Sequence, residues 1–280
     1  MSQDKKVTIG LVQMRCVTDP AENLANAVEK IKALAGQGAQ IICLPELFRS
    51  LYFCQEEDPK FFELAEPIPG KTTELLARLA AEKKIVIVAS LYEKSGEDYF
   101  NTAVVLDADG SLKGKYRKLH IPDDLKNYYG EAYYFKPGDL GTPVFETAYG
   151  KIGVLVCWDQ WFPEAARSLA AQGATIIFYP TAIGYILDNK EANQKEREGW
   201  QTIQRSHAIA NGVFVAAVNR VGRESHIDFW GTSFVAGPFG EVLELANDKD
   251  EKLLKVTCDL SEIERVRKDW PFLEARRKDL

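Results

Sequence analysis

Residues 33–42 read ALAGQGAQII, and residues 168–177 read SLAAQGATII. The two copies sit in different halves of the chain, each with an apolar segment upstream: VTIGLV at 7–12 and KIGVLV at 151–156. Each half therefore reads strand, helix, glycine-rich stop, strand. Over residues 22–35, Leu24, Ala27, Val28, Ile31 and Leu34 recur at helical spacing. In the second half Pro163 stands where an N1 proline opens a helix, and Gln172-Gly173 closes it. The short apolar runs at 41–44 and 175–179 read as buried strands.

Outward from the repeat the α/β pattern continues. A helix is expected over 72–83, strands over 85–91, 102–107 and 112–118, and a hairpin turn at Asp109-Gly110. Later, 197–211 reads as a helix and 213–219 as a strand, while 230–236 and 241–245 flank a turn at 237–240. No linker or low-complexity stretch divides the halves. The expectation is one domain over 1–280, with a core at about 6–260 and a C-terminal arm at 261–280. It is an α/β fold of two pseudo-equivalent halves, sheet packed on sheet with helices outside.

The composition narrows the function. Hydrophobic residues at 46% and charged residues at 27% describe an ordinary globular protein. A net charge of −6 disfavours non-specific nucleic-acid binding. The apolar stretch 174–187 is interrupted by Pro180 and Gly184 and is too short to span a bilayer, so no membrane partner is expected. Residues 1–6 are polar, with no basic segment followed by an apolar one, so no signal peptide is expected. Five scattered cysteines without a C-x-x-C pair suit a reducing cytoplasm better than a disulfide framework. Three histidines without H-x-x-x-H spacing do not suggest a metal site, and no cofactor is expected.

Ligands in open α/β sheets bind beyond the carboxyl ends of strands. Glu46 follows the strand at 41–44, and Cys157 follows the strand at 151–156. A short turn between a buried strand and a helix exposes a side chain as a nucleophile elbow does. A helix dipole and backbone N–H groups there favour a thiolate. Position alone also fits one more buried cysteine, like Cys43. Glu46, in LPEL, is a carboxylate at a buried strand end and needs a partner or a function. Lys118 lies in the basic run YRKLHIP, and Glu131 in the aromatic loop YYGEAYYF. Alone, each reads equally well as a surface charge.

Together these segments are more specific. The Pro45-Glu46 pair, the R-K-x-H-x-P block at 117–122, the C-W-D-x-x-F-P-E turn at 157–164 and GTSFVAGPFGEV at 231–242 occur in this order. In these motifs the chain resembles the nitrilase superfamily from about Lys6 to the C-terminus. The resemblance implies a four-layer αββα sandwich, a catalytic triad of Glu46, Lys118 and Cys157, and Glu131 as auxiliary acid. In those roles Glu46 would be the base and Lys118 the partner of a tetrahedral oxyanion, helped by a backbone N–H such as that of Trp158. Glu131 would orient Lys118 or the leaving amine. Neither metal nor organic cofactor is implied.

YPTAIG at 179–184, SHAIANG at 206–212, FWG at 229–231, and WPF at 270–272 with Arg276-Arg277 are similar to the N-carbamoylputrescine amidohydrolase branch. The implied reaction yields putrescine, carbon dioxide and ammonia, a step in polyamine synthesis. Trp158, Asp159 and Trp161 beside the nucleophile, Tyr52, Tyr133 and Phe135 near the other motifs, and Thr181 and Ala182 in the YPTAIG loop are the expected substrate contacts. Aromatic faces and carboxylates suit a four-carbon chain ending in ammonium, with cation–π attraction of ~0.5–2 kcal/mol. Some branch members carry an acid shortly after YPTAIG. Here Tyr185-Ile186-Leu187 follow, and the nearest acids are Asp188 and Glu191. Alternatives are a carbamoyl amino acid hydrolase, an ω-amidase or nitrilase, and a nitrilase-like interaction protein with a dead site. A carbamoyl amino acid wants an Arg near the pocket, yet none follows Cys157 before Arg167. The resemblance also implies a homodimer or larger assembly, with residues 270–280 as a contact arm.

Overall fold

Asp19 accepts a hydrogen bond from the Ala21 N–H at 2.8 Å, and Pro20 opens the helix Pro20–Gly36 (α1) behind that cap. Ala27, Ile31 and Leu34 form its buried stripe, and Gly38, at φ +90, turns the chain into the strand Ile41–Cys43. The computed structural model describes residues 6–187 and 190–277, and the side chains of all of these except 190–193. Its further helices are Lys71–Lys83 (α2), Pro163–Ala171 (α3), Lys190–Asn211 (α4), Ser261–Asp269 (α5) and Phe272–Ala275 (α6).

Two six-stranded sheets carry the fold. One runs in the order Lys252–Asp259, Lys6–Gln13, Ile41–Cys43, Val86–Ser95, Asp98–Leu106, Leu112–Arg117. The other runs Val144–Thr147, Gly150–Val154, Ile176–Thr181, Phe214–Asn219, Phe234–Ala236, Val242–Leu245. Position by position the pairings agree: antiparallel, parallel, parallel, antiparallel, antiparallel. The repeat in the sequence is thus a repeat of whole sheets. Val7, Ile9, Leu11, Ile41, Val86 and Val88 of the first sheet share a core with Ile152, Val154, Ile176 and Phe178 of the second. The alternate residues Val12, Ile42, Ile87 and Val104 pack instead on Ala27, Ile31 and Leu34 of α1 and Leu76 and Leu79 of α2. Leu169 of α3 and Trp200 and Ala208 of α4 join the core around the second sheet, completing the αββα layering.

Several boundaries differ from the expectation. The segment 230–236 splits at Gly231-Thr232. Trp230 ends the strand Ile227–Trp230 in a three-stranded sheet with Gly184–Ile186 and Val221–Glu224, and Phe234 starts a strand of the second large sheet. Gly231, at φ +53, passes so close to Gln13 that a Cβ would lie 2.6 Å from its amide. α4 begins earlier than the periodicity at 197 suggests. Lys252–Asp259 adds a strand to those expected, and it finds its partner at the other end of the chain, on Lys6–Gln13. Ile263 and Leu273 of the tail helices enter the same core, so at least this part of the arm is packed. Among the described residues no helix is long and apolar enough to cross a membrane.

Candidate active site

Three loops at strand ends bring the predicted catalytic residues together. Glu46 leaves Ile41–Cys43 through Leu44-Pro45, and Leu47 turns with φ +47. Arg220, wholly buried, fixes that loop by donating to the carbonyls of Glu46 (2.7 Å), Leu47 (3.1 Å) and Ser50 (3.1 Å). Its charge is matched by Glu224 at 2.9 Å, whose carboxylate also accepts the Tyr52 N–H. Lys118 follows Leu112–Arg117 directly, and its N–H donates to the Asn101 carbonyl at 2.9 Å. Cys157 sits at φ +43 and opens the 3-10 turn Cys157–Trp161 ahead of α3. For a non-glycine residue that backbone is strained, a common property of nucleophile turns.

The Lys118 ammonium bridges both carboxylates, 2.9 Å from Glu46 Oε1 and 2.8 and 2.7 Å from the two oxygens of Glu131. All three side chains are buried. Asn101 donates to Glu46 Oε1 at 2.7 Å, Ser90 donates to Asn101 at 3.1 Å, and Tyr52 donates to Glu131 Oε1 at 2.7 Å. Glu46 Oε2 is buried and has no hydrogen-bond partner. That oxygen keeps a free lone pair in a dry setting.

Burial opposes the charge on Lys118, but Glu131 and Glu46 outweigh it and hold its pKa well above the ordinary value. Glu131 is pushed up to about 7, chiefly by burial against the opposing pull of Lys118. Two carboxylates and one ammonium leave a net negative charge when all are ionised, so burial favours retaining one proton. Burial and then Glu46 also raise Cys157 well above the ordinary thiol range. That direction runs against the thiolate expectation, and α3 starts only at Pro163, beyond the 3-10 turn, so its N-terminus is not at the sulfur.

Cys157 opens into a cavity of about 240 Å³. Trp158 and Trp161 line it as expected, joined by Tyr129, Ile183 and Ile186, and by Asp124, Asn127 and Glu196. The Ala182 carbonyl lies 3.8 Å from the Cys157 sulfur. The remaining expected contacts are placed elsewhere. Asp159 is fully buried, with its carboxylate bonded to Tyr116, His120 and Val156, because its turn folds it inward. Thr181 returns its hydroxyl to the Tyr179 carbonyl of its own strand. Phe135 packs among Phe53, Tyr92 and Tyr134, and Tyr133 is exposed against Phe62 and Tyr134. Tyr52 does not line the cavity itself but backs it, bonded to Glu131 and with its ring 5.7 Å from that of Tyr129. Asp188 and the side chain of Glu191 lie outside the described residues. Among those that are described, no group of three or more His, Cys, Asp or Glu is placed to hold a metal ion.

Sequence reasoning missed Asn101, Ser90, Arg220, Asp124 and Glu196. Asn101, a lone amide in the strand sequence YFNTAVVL, was the one legible signal, since a buried amide needs partners. Asp124 and Glu196 sit in charged stretches that offer none.

The family described as carbon-nitrogen hydrolase matches residues 8–268. The chain is 43% identical to an N-carbamoylputrescine amidase of Solanum lycopersicum, over 99% of this chain and 94% of that protein. It is 40% identical to a citrullinase of Francisella tularensis, over 98% of this chain and 96% of that one. A crystal structure of a carbon-nitrogen hydrolase from Helicobacter pylori G27 superposes with a TM-score of 0.93 at 40% identity, covering 99% of this chain and 97% of the other. With its buried acid–lysine–thiol site and its doubled sheets, this chain belongs to the carbon-nitrogen hydrolase family.

Proposed function

We propose that the chain hydrolyses N-carbamoylputrescine to putrescine, carbon dioxide and ammonia, with Cys157 as nucleophile, Glu46 as base, Lys118 as oxyanion partner and Glu131 as the acid that holds Lys118. Glu46 takes the thiol proton on Oε2 while the sulfur attacks the ureido carbonyl carbon. The displaced electron pair rests on oxygen beside Lys118 and the Trp158 N–H. The adduct reforms its carbonyl and expels one nitrogen, which carries the proton away. Water, deprotonated by Glu46, then releases the thiol, and the resulting carbamate splits into carbon dioxide and the remaining amine.

The observation that carries the substrate is the lining of the Cys157 cavity. It holds the carboxylates of Asp124 and Glu196 and, among the described residues, no Arg or Lys. Partial burial and then the charge of Asp124 raise the pKa of Glu196, which stands exposed at the rim. An ammonium at the tail of the substrate relieves that crowding. Tyr129 lies within electrostatic reach of both Cys157 and Glu196, which suits an aromatic wall between the two ends.

The citrullinase likeness favours a second reading, citrulline, which shares the ureido group and three methylenes but adds a carboxylate beside its ammonium. A carboxylate placed about 5 Å from either acid meets a repulsion of about 3 kcal/mol at an effective dielectric near 20, so the diamine derivative is the better fit. Ammonia release from N-carbamoylputrescine, citrulline, N-carbamoyl-β-alanine, simple nitriles and glutamine-like amides decides between them. N-carbamoylputrescine should give the largest kcat/KM, and a win for citrulline or another carbamoyl amino acid overturns the substrate. Uncharged N-carbamoyl-butylamine should show a raised KM with kcat little changed, as should Asp124→Asn and Glu196→Gln acting on the diamine derivative.

We place this reaction in the cytoplasm, which suits five unpaired buried cysteines. We also propose self-association through the exposed aromatic group Phe239, Trp270 and Phe272. Sedimentation of Trp270→Ser should then report smaller particles than the parent chain does, and unchanged particles would exclude that surface.

A further inference from the structure

We infer that Asp159 is a positioning residue, which locks the nucleophile turn and the Lys118 segment together as one unit. The inference rests on the thiol-hydrolase reading above. Asp159 is a fully buried member of the nucleophile turn that does not line the cavity, so it is not placed to touch substrate. Its Oδ1 accepts the His120 N–H at 3.0 Å and lies 2.7 Å from His120 Nδ1. Its Oδ2 accepts the Tyr116 hydroxyl at 2.7 Å and the Val156 N–H at 2.9 Å. Tyr116 and His120 flank Lys118 two residues to either side, and Val156 is the residue before Cys157. One carboxylate therefore holds both sides of the catalytic pair.

The hold is tightened around that carboxylate. The Tyr116 hydroxyl accepts the Leu119 N–H at 3.3 Å, and the His120 ring lies flat on Phe162 with centroids 3.6 Å apart. The Asp159 N–H donates back to the Val156 carbonyl at 3.1 Å, closing the turn across Cys157. A strained φ at Cys157 persists only where its surroundings over-determine it. Lys118 and Cys157 come from opposite sheets, and their relative placement must hold to a fraction of an ångström for the adduct to form. A carboxylate suits this position because the Val156 and His120 N–H groups and the Tyr116 hydroxyl all donate to it; an amide would turn an NH2 toward at least one of those donors.

The test compares Asp159→Asn with the milder Tyr116→Phe and His120→Ala, which each remove one tether and leave the carboxylate in place. Turnover is read on whichever substrate of the panel the parent enzyme cleaves. Alkylation of Cys157 by iodoacetamide gives a second readout that needs no substrate. Asp159→Asn should lower kcat roughly 10²-fold with KM nearly unchanged, and should slow alkylation of Cys157. Tyr116→Phe and His120→Ala should show smaller losses of the same kind in folded protein. A raised KM with unchanged kcat would mean that Asp159 meets substrate after all and overturns the inference. So would parental kcat and alkylation rates in the two milder variants together, even with a lowered melting temperature. Activity surviving in Cys157→Ala would instead sink the thiol-hydrolase reading beneath it.

Discussion

Leu169 of α3 stands over Gly153: its Cδ1 lies 2.7 Å from where a Cβ on that glycine would be, and Leu34 of α1 stands over Gly10 in the same way at 2.9 Å. Leu34 and Leu169 are matching residues of the AL-x-x-QGA and SL-x-x-QGA copies, and both glycines lie on the strand leading into their half. The helix approaches the sheet closely in both halves, and the missing side chain is what allows it. Gly153→Ala should therefore destabilise the fold by about 1–3 kcal/mol, the usual cost of overpacking a filled core. Urea unfolding measures it. A substitution without effect would show that α3 has room to shift.

Cys157→Ala should abolish turnover and leave the fold intact. Cys16, Cys43, Cys54 and Cys258 are also buried, but only Cys157 lines the large cavity, so iodoacetamide should label it first. More than a few per cent of activity in a verified Cys157→Ala protein, or faster labelling of another cysteine, contradicts the assignment.

Glu46→Gln keeps shape but removes the proposed base, and should cost at least ~10²-fold in kcat. Lys118→Ala should cost as much in rate and, unlike Glu46→Gln, should also weaken the fold by about 3–5 kcal/mol, because Glu131 is left buried without its cation. EDTA should leave activity unchanged. Near-parental kcat in Glu46→Gln, or loss of activity on EDTA treatment that zinc restores, would assign the catalyst elsewhere.

Glu131 gives the stability a pH signature. Its carboxyl rises from 4.5 to about 7, chiefly through burial. Between those values the native state still holds a proton that the unfolded chain has released. The stabilisation it brings is thus complete below about 4.5 and is lost as pH rises through about 7. Unfolding free energy should fall across this window in the parent and fall less in Glu131→Gln. Equal slopes in the two proteins would show that another group retains the proton.

The doubled architecture was legible because a repeat in sequence imposes the same local periods twice, and burial then demands the same packing. Helical spacing in α1 and α3, glycine stops and apolar strands are all short-range properties. Glu46, Lys118 and Cys157 were legible as candidates for a related reason: each lies just beyond a strand end of the αββα frame, inside one of the ordered motifs that carry the family resemblance. What lay beyond reach depended on contacts between distant segments. The strand Lys252–Asp259 is defined by pairing with Lys6–Gln13. Arg220 acts on a loop about 170 residues earlier, and Asp124 and Glu196 become neighbours only when a loop of one half meets α4 of the other. Asp159 is the clearest division. The sequence by itself placed an acid two residues after Cys157, but whether it faced the cavity or the protein interior was decided by the 3-10 turn, which points it at Tyr116, His120 and Val156. Sequence set the local periods and the residue chemistry. Only tertiary packing decided which buried donors a carboxylate meets, because desolvation forces each buried charge toward the partners the fold brings to it.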